Sequence, residues 1–403
     1  MVNEVLRTDI PNDWDVITLG DYAQIFRGGS PRPIQAFLTT SDQGINWIKI
    51  GDVGAGEKFI ESTEEKIIPE GVSRSRMVYK GDLILSNSMS YGRPYIMNIE
   101  GCIHDGWLVI QKYDRLFNRE YLYYALSSDL TMQQYVAMAA GSSVQNLNKE
   151  KVSKVVLPCP KILEQKKIAE VLSSIDALIV DLQKLIRKKK DIRQGAMQML
   201  VTGKKRLPGY YADFEHFTIG ELGSLAKMSI NPCQEPKTIF DEYSMPAFDD
   251  EAKPQQMLGE LMLSSRIKLT PNTLLFNKLN VRQRRVWLVK DCSNNSVCSS
   301  EFLPYKSEKI DLSFLKQLLL TDKVTKDFED MSSGTSNSQQ RITPSDFLKY
   351  EISIPSLEEQ RKMALILFDM DTEIQRLEEK LSKYQKVKQG MMEELLTGKV
   401  RLM

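Results

Sequence analysis

Side chains that can bond nucleic-acid bases gather in the predicted turns of this sequence. In its first third they are Arg27, Ser30, Arg32, Arg74, Arg76, Ser88 and Arg93, and further along they are Lys278, Asn280, Arg282, Gln283, Arg284 and Arg285. Arginine, asparagine, glutamine and serine present donors and acceptors that match base edges, whereas lysine and arginine neutralise phosphate. Both groups are therefore candidate DNA contacts. Solvated surface turns have the same composition, so that simpler interpretation stays open.

A catalytic arrangement is not apparent in the sequence. The glycine-rich stretch 51–56 lacks the spacing of a dinucleotide fingerprint, and no phosphate-binding loop with a Gly-Lys-Ser/Thr ending occurs. Two isolated histidines, His104 and His216, cannot support most acid–base schemes. Asn231-Pro232-Cys233 stops short of the Asn/Asp-Pro-Pro-aromatic element of an adenine methyltransferase. We therefore expect a protein without catalytic residues, metal site or cofactor of its own.

Composition indicates a folded protein with room for two domains. The 403 residues are too many for one ordinary core, and an apolar content of 42% argues against a disordered chain. Neither a long apolar run nor a basic-then-apolar N-terminus occurs, so we expect no membrane span and no secretory signal. Five cysteines without paired short spacing favour reduced thiols and a cytoplasmic location. Cys292 and Cys298 have no histidine nearby, which argues against zinc.

The net charge of +1 hides an uneven distribution. Residues 156–207 contain 12 Lys and Arg against 5 Asp and Glu, chiefly because of Lys184, the run 187–190 and Arg193. The run is either the solvated face of a helix or a DNA contact, and the sequence leaves both open. If DNA is the partner, the weak total charge implies that affinity depends on another subunit.

An internal repeat indicates which elements would position the turns that carry the candidate DNA contacts. Shifting the sequence by 195 positions places residues 160–207 on residues 355–402 without a gap, and 19 of the 48 residues are identical. Each copy begins with a Pro-x-x-x-Glu-Gln motif and ends with a Leu-x-Thr-Gly-Lys motif. The chain therefore contains two related segments, each preceded by a region that is repeated far less faithfully.

Both copies have the apolar spacing of a long coiled-coil helix. Steps of four and three residues connect Ile168, Leu172, Ile175, Ile179, Leu182 and Ile186 in the first copy, and Met363, Leu367, Met370, Ile374, Leu377 and Leu381 in the second. Gly203 and Gly398 can cap their ends, so each helix spans about 40 residues, or about 60 Å. We expect the two helices to pair antiparallel. Two unrelated amphipathic helices on separate cores would not explain the shared motifs. Val171, Leu178 and Leu185 widen only the first apolar face and suggest a further contact there.

The regions before the helices are predicted to be mixed α+β domains. Residues 14–21 resemble 214–221, and Gly141-Ser-Ser resembles Gly334-Thr-Ser, but the regions between them diverge. Short apolar runs bounded by turn residues predict strands of a partly antiparallel sheet. Helical stretches are predicted over 119–138 and 314–328. Trp47 and Tyr91 are predicted to be core residues rather than surfaces for base stacking.

Taken together, these motifs resemble the specificity subunit of type I restriction–modification systems. Further family-like phrases are Gly141-Ser-Ser-Val-Gln-Asn-Leu-Asn and Val297-Cys-Ser-Ser-Glu-Phe. The resemblance implies target recognition domains at 1–155 and 208–350, and long spacer helices at 156–207 and 351–403. It also implies a split DNA target, two DNA adenine methyltransferase subunits, and restriction or translocase subunits as partners. S-adenosylmethionine and ATP would belong to those partners. The resemblance does not indicate which DNA sequence is recognised, because it is weakest in the two recognition domains, 1–155 and 208–350.

A different class of function competes with this interpretation. A coiled-coil adaptor could join two protein partners without touching DNA, and the near-neutral charge favours it. The basic turns and the family-like phrases favour DNA recognition. An enzyme with its own methyltransferase activity lacks the necessary motifs.

Overall fold

The structure is a computed structural model that describes residues 10–54, 56–87, 92–139, 147–334 and 339–402. The chain forms two compact units. The first unit comprises the residues up to Gln183 together with those from Glu379 onward, and the second comprises Lys184–Glu378. Each long helix therefore contributes one part to each unit.

The first unit contains two mixed sheets and one small antiparallel pair. Its strands are β1 (Asp15–Thr18), β2 (Gln24–Arg27), β3 (Leu38–Thr39), β4 (Ile45–Ile48), β5 (Phe59–Ile60), β6 (Glu65–Ile67), β7 (Arg76–Val78), β8 (Leu83–Ser86), β9 (Pro94–Met97), β10 (Gly101–Ile103), β11 (Trp107–Gln111) and β12 (Val156–Cys159). The sheets have the orders β3-β6-β4-β10-β7 and β2-β11-β8-β9-β5, and β1 pairs with β12. Most neighbours are antiparallel, but β4 and β10 run parallel, as do β5 and β9.

The helices of the first unit pack against the second of these sheets. They are α1 (Leu19–Tyr22), α2 (Arg119–Ser127), α3 (Asp129–Ala139), α4 (Lys149–Ser153) and the start of α5 (Ile162–Val201). One apolar core joins β2, β8 and β11 to α2 and to the long helices. Trp47, fully buried, belongs to a separate small core, as predicted, whereas Tyr91 lies outside the described residues.

The second unit has a related topology. Its strands are β13 (Glu215–Thr218), β14 (Ser224–Leu225), β15 (Ser229–Ile230), β16 (Ile239–Tyr243), β17 (Gln255–Leu258), β18 (Arg266–Lys268), β19 (Thr273–Asn277), β20 (Val286–Val289), β21 (Ser296–Ser299), β22 (Phe302–Lys306) and β23 (Glu351–Ile354). The sheet orders are β14-β22-β19-β20 and β15-β18-β21-β16-β17, and β13 pairs with β23. Here β16 and β21 are the parallel neighbours, as β4 and β10 are in the first unit.

The helices of the second unit repeat the pattern of the first. They are α6 (Ile219–Leu222), α7 (Met245–Glu251), α8 (Leu312–Leu319), α9 (Asp322–Met331), α10 (Pro344–Lys349) and the start of α11 (Leu357–Thr397). The end of α5 joins their core through Met197, Leu200 and Val201. The predicted α+β class, with two sheet-rich units and a pair of long antiparallel helices from an internal repeat, is confirmed.

Two helical stretches are interrupted where a single helix was predicted. Ser128 separates α2 from α3, and Thr321 lies between α8 and α9. Both residues have extended backbones, with ψ of 153° and 151°. Their hydroxyls accept hydrogen bonds from the backbone N–H groups of Thr131 and Val324, so each starts the following helix as an N-cap. Neither stretch contains a glycine or proline that would mark the break in the sequence.

Candidate nucleic-acid interface

In the first unit, two of the candidate contacts, Arg27 and Ser30, converge on Asp105, which follows β10. Ser30 donates its hydroxyl to Asp105 Oδ1 at 2.7 Å, and His104 Nε2 lies 2.9 Å from the same oxygen. Arg27 Nε and Asn87 Nδ2 donate to the Asp105 carbonyl at 3.1 and 2.9 Å. We call these five residues the Asp105 hub. Burial raises the pKa of Asp105, but the Ser30 hydrogen bond and the electrostatic influence of His104 and Arg27 outweigh it and lower that pKa.

Two glycines allow the hub to form. A Cβ on Gly28 would lie 2.2 Å from the His104 carbonyl oxygen, and one on Gly29 would lie 3.0 Å from that of Arg74. The chain after β2 therefore approaches both the β10 turn and the segment before β7. Ser75 completes the connection by donating its hydroxyl to the Ile103 carbonyl at 3.2 Å. Residues far apart in sequence are thus brought together around the end of β10.

Aromatic rings support two further arginines of the first unit. The Arg74 guanidinium lies 5.2 Å from the centre of the Phe37 ring, and that of Arg76 lies 4.8 Å from the Phe26 ring. No ion pair involves either arginine within the part of the chain that the structure describes. Cation–π contact leaves a guanidinium its full charge and its in-plane donors. Arg32 and Arg93 are also exposed, and Ser88 lies outside the described residues.

In the second unit, the candidate arginines bind carboxylates instead. Arg285 donates through Nε and Nη2 to the two oxygens of Asp249, each at 2.7 Å. That pairing holds the pKa of Asp249 below its usual range. Arg284 bonds Asp322 at 2.6 Å and the carbonyl of Leu320 at 3.2 Å.

The turn that carries these arginines is fixed by its backbone. Asn280 and Arg284 both have a left-handed conformation, with φ of 52° and 50°. The N–H of Asn280 donates to the carbonyl of Gln340 at 2.8 Å, and Arg282 pairs with Glu329 at 3.4 Å. Lys278 is half-buried, whereas Gln283 is exposed. The six candidates therefore lie close together, but their arginine charges are largely neutralised within the unit.

The ends of the two long helices share an apolar core in each unit, and some of the predicted seam residues belong to these cores. In the first unit, Ile168 and Leu172 of α5 share a core with Leu395 and Leu396 at the end of α11. In the second, Met197 near the end of α5 shares a core with Met363 and Leu367 at the start of α11. Opposite ends meet in each case, so the helices pair antiparallel. Of the other predicted seam residues, Ile175, Ile179, Leu182, Ile186 and Ile374 are buried, while Met370, Leu377 and Leu381 are half-buried.

Two equivalent ion-pair groups, which we call the end clasps, were not predicted from the sequence. In the second unit, Arg206 donates to both oxygens of Glu359 at 3.0 and 2.7 Å. In the first unit, Arg401 bonds Glu164 at 2.8 and 2.9 Å and Asp13 twice at 2.7 Å. The hydrogen bonds from Arg401 lower the pKa of Glu164 and that of Asp13. Arg206 and Arg401 are 195 positions apart, as are Glu164 and Glu359, so each clasp joins the end of one repeat to the start of the other.

The same reciprocity holds within the helices. Asp176 pairs with Lys388 at 2.6 Å in the first unit, and the equivalent Asp371 pairs with Arg193 at 2.8 Å in the second. Two further ion pairs of the second unit, Lys189 with Glu373 and Lys190 with Glu378, are both 2.7 Å long. Part of the basic run on α5 is therefore used in the helix pair. A signal was present in the sequence, because the two copies have the same residue at three of the four equivalent positions, counting the end clasps, and differ only at Arg193 and Lys388.

The glutamine of each repeat ties a long helix to its unit. Gln165 accepts a hydrogen bond from the N–H of Asn118 at 2.8 Å, and Gln360 accepts one from the N–H of Asp311 at 2.9 Å. Asn118 and Asp311 are the N-caps of α2 and α8. Both glutamines are buried. The motif therefore has the same structural role in both units.

Among the residues that the structure describes, no helix is both long and apolar enough to cross a membrane. All five cysteines are free thiols.

Comparisons with known proteins agree with this architecture. The type I restriction enzyme MjaVIII specificity subunit of Methanocaldococcus jannaschii is 24% identical and covers 98% of this chain and 94% of its own length. The S subunit of a type I restriction–modification system from M. genitalium has a TM-score of 0.58 at 14% identity, covering 96% of this chain and 97% of that one. A chain from a study of complex assembly and conformational transition of the type I R-M system has a TM-score of 0.61 at 15% identity, covering 97% and 99%. These two structures show the fold alone.

A family model supplies the assignment. The model described as type I restriction modification DNA specificity domain matches residues 11–193 and 286–388, which is more than half of the chain. Subunits of this family provide DNA recognition and are generally non-catalytic. The resemblance inferred from the repeated motifs is confirmed, and the chain belongs to the type I restriction–modification DNA specificity family.

Proposed function

We propose that the chain recognises a DNA sequence in two separate parts, one through each unit, and positions methyltransferase and restriction subunits on it. The observation that carries this proposal is the repeated framework with unlike turns. The two units have related sheet orders, reciprocal clasps and equivalent glutamine bonds, but their candidate contacts differ: Arg27 and Ser30 meet at the Asp105 hub, whereas the arginines of the turn 278–285 bind carboxylates. Two different sets of turns on one framework suit a target with two unlike halves.

The partners we propose are double-stranded DNA, two DNA adenine methyltransferase subunits, and restriction or translocase subunits. Binding DNA with a net charge of only +1 would require help from another basic surface. Leu178 of α5 in the first unit and Leu185 in the second are 48% and 39% exposed, which offers apolar surface to a partner. S-adenosylmethionine and ATP would be bound by the partner subunits, and the complex would act in the cytoplasm.

Selection from random DNA tests the two-part target. The chain, alone and with a candidate methyltransferase, is incubated with a random library, and the bound DNA is sequenced. We expect two short fixed blocks separated by a random spacer of constant length. A single block, or no enriched sequence in the presence of a methyltransferase that binds the chain, would contradict the proposal.

We also propose that helix length sets the spacer between the two half-sites. Four residues added within one long helix lengthen it by about 6 Å, near two base pairs at ~3.4 Å each. We expect the spacer to grow by one or two base pairs while both half-sites stay the same. Methylation mapping with the insertion variant measures the spacer length. An unaltered spacer would contradict the proposal that helix length sets it.

A coiled-coil adaptor without DNA contact is the second candidate. The acid-paired arginines of the second unit favour it, because Arg284 and Arg285 already have carboxylate partners. Gel-shift assays on random DNA, with and without a candidate methyltransferase, separate the two. An adaptor would bind the methyltransferase and leave the DNA mobility unchanged.

A further inference from the structure

A loop in the second unit projects leucines into solvent. It comprises residues 259–265, which we call the leucine loop, and it precedes β18. Leu261 and Leu263 are 63% and 87% exposed, whereas Met262 between them is only 1% exposed. The buried methionine anchors the loop, so the two leucines are held on the outside. Both leucine side chains are therefore available to contact a partner.

The backbone of the leucine loop is held at both ends. Gly259 has no space for a side chain, since a Cβ would lie 2.3 Å from the Glu235 carbonyl oxygen. At the other end, the guanidinium of Arg266 donates to the carbonyls of Ser264 and Ser265 at 2.9 and 3.3 Å. Arg266 itself is fixed by a largely buried ion pair with Glu242 at 2.6 Å. The loop therefore presents its leucines from a defined backbone.

The leucine loop has a counterpart in the first unit. There β7 pairs antiparallel with β10, and β10 runs parallel to β4; in the second unit β18 pairs antiparallel with β21, and β21 runs parallel to β16. The segment before β7, which includes Arg74, thus corresponds to the leucine loop before β18. One position in the fold carries a candidate DNA contact in one unit and exposed leucines in the other.

The charges of the leucine loop argue against a contact with phosphate. Arg266 is committed to Glu242, and Glu260 is exposed on the loop itself. A carboxylate repels phosphate but accepts a hydrogen bond from the amine of cytosine, and apolar side chains contact the methyl group of thymine in the major groove. We propose that the leucine loop reads bases of the half-site bound by the second unit, with Leu263 against the 5-methyl group of a thymine. This proposal rests on the DNA recognition proposed above.

Deoxyuridine substitution tests the contact, because it removes only the methyl group. Each thymine of the selected target is replaced in turn, and the affinity of the complete complex is measured. Burying one methyl group contributes about 0.8 kcal/mol, or roughly fourfold in affinity. We expect one replacement, in one half-site, to weaken wild-type binding roughly fourfold. The Leu263→Ala variant should bind thymine and deoxyuridine equally at that position.

The matched control is Leu365→Ala, which removes the same atoms from a leucine that is 58% exposed on α11. It should discriminate thymine from deoxyuridine as the wild type does. Unchanged discrimination by Leu263→Ala, or a half-site without a methyl-dependent thymine, would overturn the proposal. So would weaker association of Leu263→Ala with the methyltransferase in the absence of DNA, which would identify a protein contact. Failure of the wild-type complex to bind any specific sequence would instead contradict the DNA-recognition function itself.

Discussion

The two units support their arginines in different ways. In the first, Arg74 and Arg76 rest on aromatic rings and keep their charge available. In the second, Arg284 and Arg285 pair with carboxylates that are 38 and 36 residues away in the chain. A guanidinium that already has a carboxylate partner has fewer free donors, and its charge is partly neutralised before it meets a phosphate. The comparison teaches that the composition of a turn does not reveal whether its arginines are neutralised. Acidic residues far away in the sequence determine that.

The long helices differ less between the units, because several of their contacts recur at equivalent positions. Leu172 and Leu367 are equivalent in the repeat, and both are fully buried. Truncating either to alanine leaves a cavity that typically costs 2–5 kcal/mol of unfolding free energy. We expect Leu172→Ala and Leu367→Ala each to lower the unfolding free energy by about 3 kcal/mol in denaturant titrations. Leu178→Ala, at a half-exposed position, is the control and should change it little. A large decrease of the unfolding free energy in only one of the two variants would show that Leu172 and Leu367 do not have equivalent roles.

Arginine substitutions sharpen the contrast between the turns. Replacing Arg74 and Arg76 with alanine should weaken binding to all DNA sequences. It should also reduce the slope of log affinity against log salt by about one for each phosphate that is no longer neutralised. Replacing Arg284 and Arg285 should weaken binding or relax specificity at one half-site only. Fluorescence anisotropy at several salt concentrations measures both pairs. Equal weakening at both half-sites in the second pair, together with a lower Tm, would indicate misfolding instead.

The end clasps should differ modestly in strength. Arg401 binds Glu164 and Asp13, whereas Arg206 binds Glu359 alone among carboxylates of the described residues. We therefore expect Arg401→Ala to lower the Tm at pH 7 by a few degrees more than Arg206→Ala does.

The pH dependence of the Arg401 clasp has a definite sign. Hydrogen bonds from Arg401 lower the folded-state pKa of Glu164 and Asp13. Their contribution is complete above the ordinary carboxyl pKa of about 4 and is lost as the pH falls through the lowered values. The Tm difference between wild type and Arg401→Ala should therefore be constant from pH 7 to 5 and shrink below about pH 4. A difference that grows on acidification would contradict the clasp.

The repeat made the framework predictable, whereas the turns were not. Ile168 and its equivalents follow a simple period, so the sequence alone indicated two long helices and their antiparallel pairing. The breaks at Ser128 and Thr321 were missed because they depend on capping hydrogen bonds and are not marked by glycine or proline. The Asp105 hub joins residues from three separate segments, and no local pattern predicts such a meeting. The need for glycine at Gly28 and Gly29 becomes clear only once the opposing carbonyls are located.

The division of the chain has a consequence for its synthesis. The second unit is one continuous stretch, Lys184–Glu378, whereas the first needs residues from Glu379 onward, including Arg401. The first unit therefore requires residues from both sides of the second unit in the chain, so the second unit can finish folding before the first. Until the end of α11 has been synthesised, Ile168 and Leu172 lack the leucines that share their core, Leu395 and Leu396, and their apolar surface stays exposed to solvent.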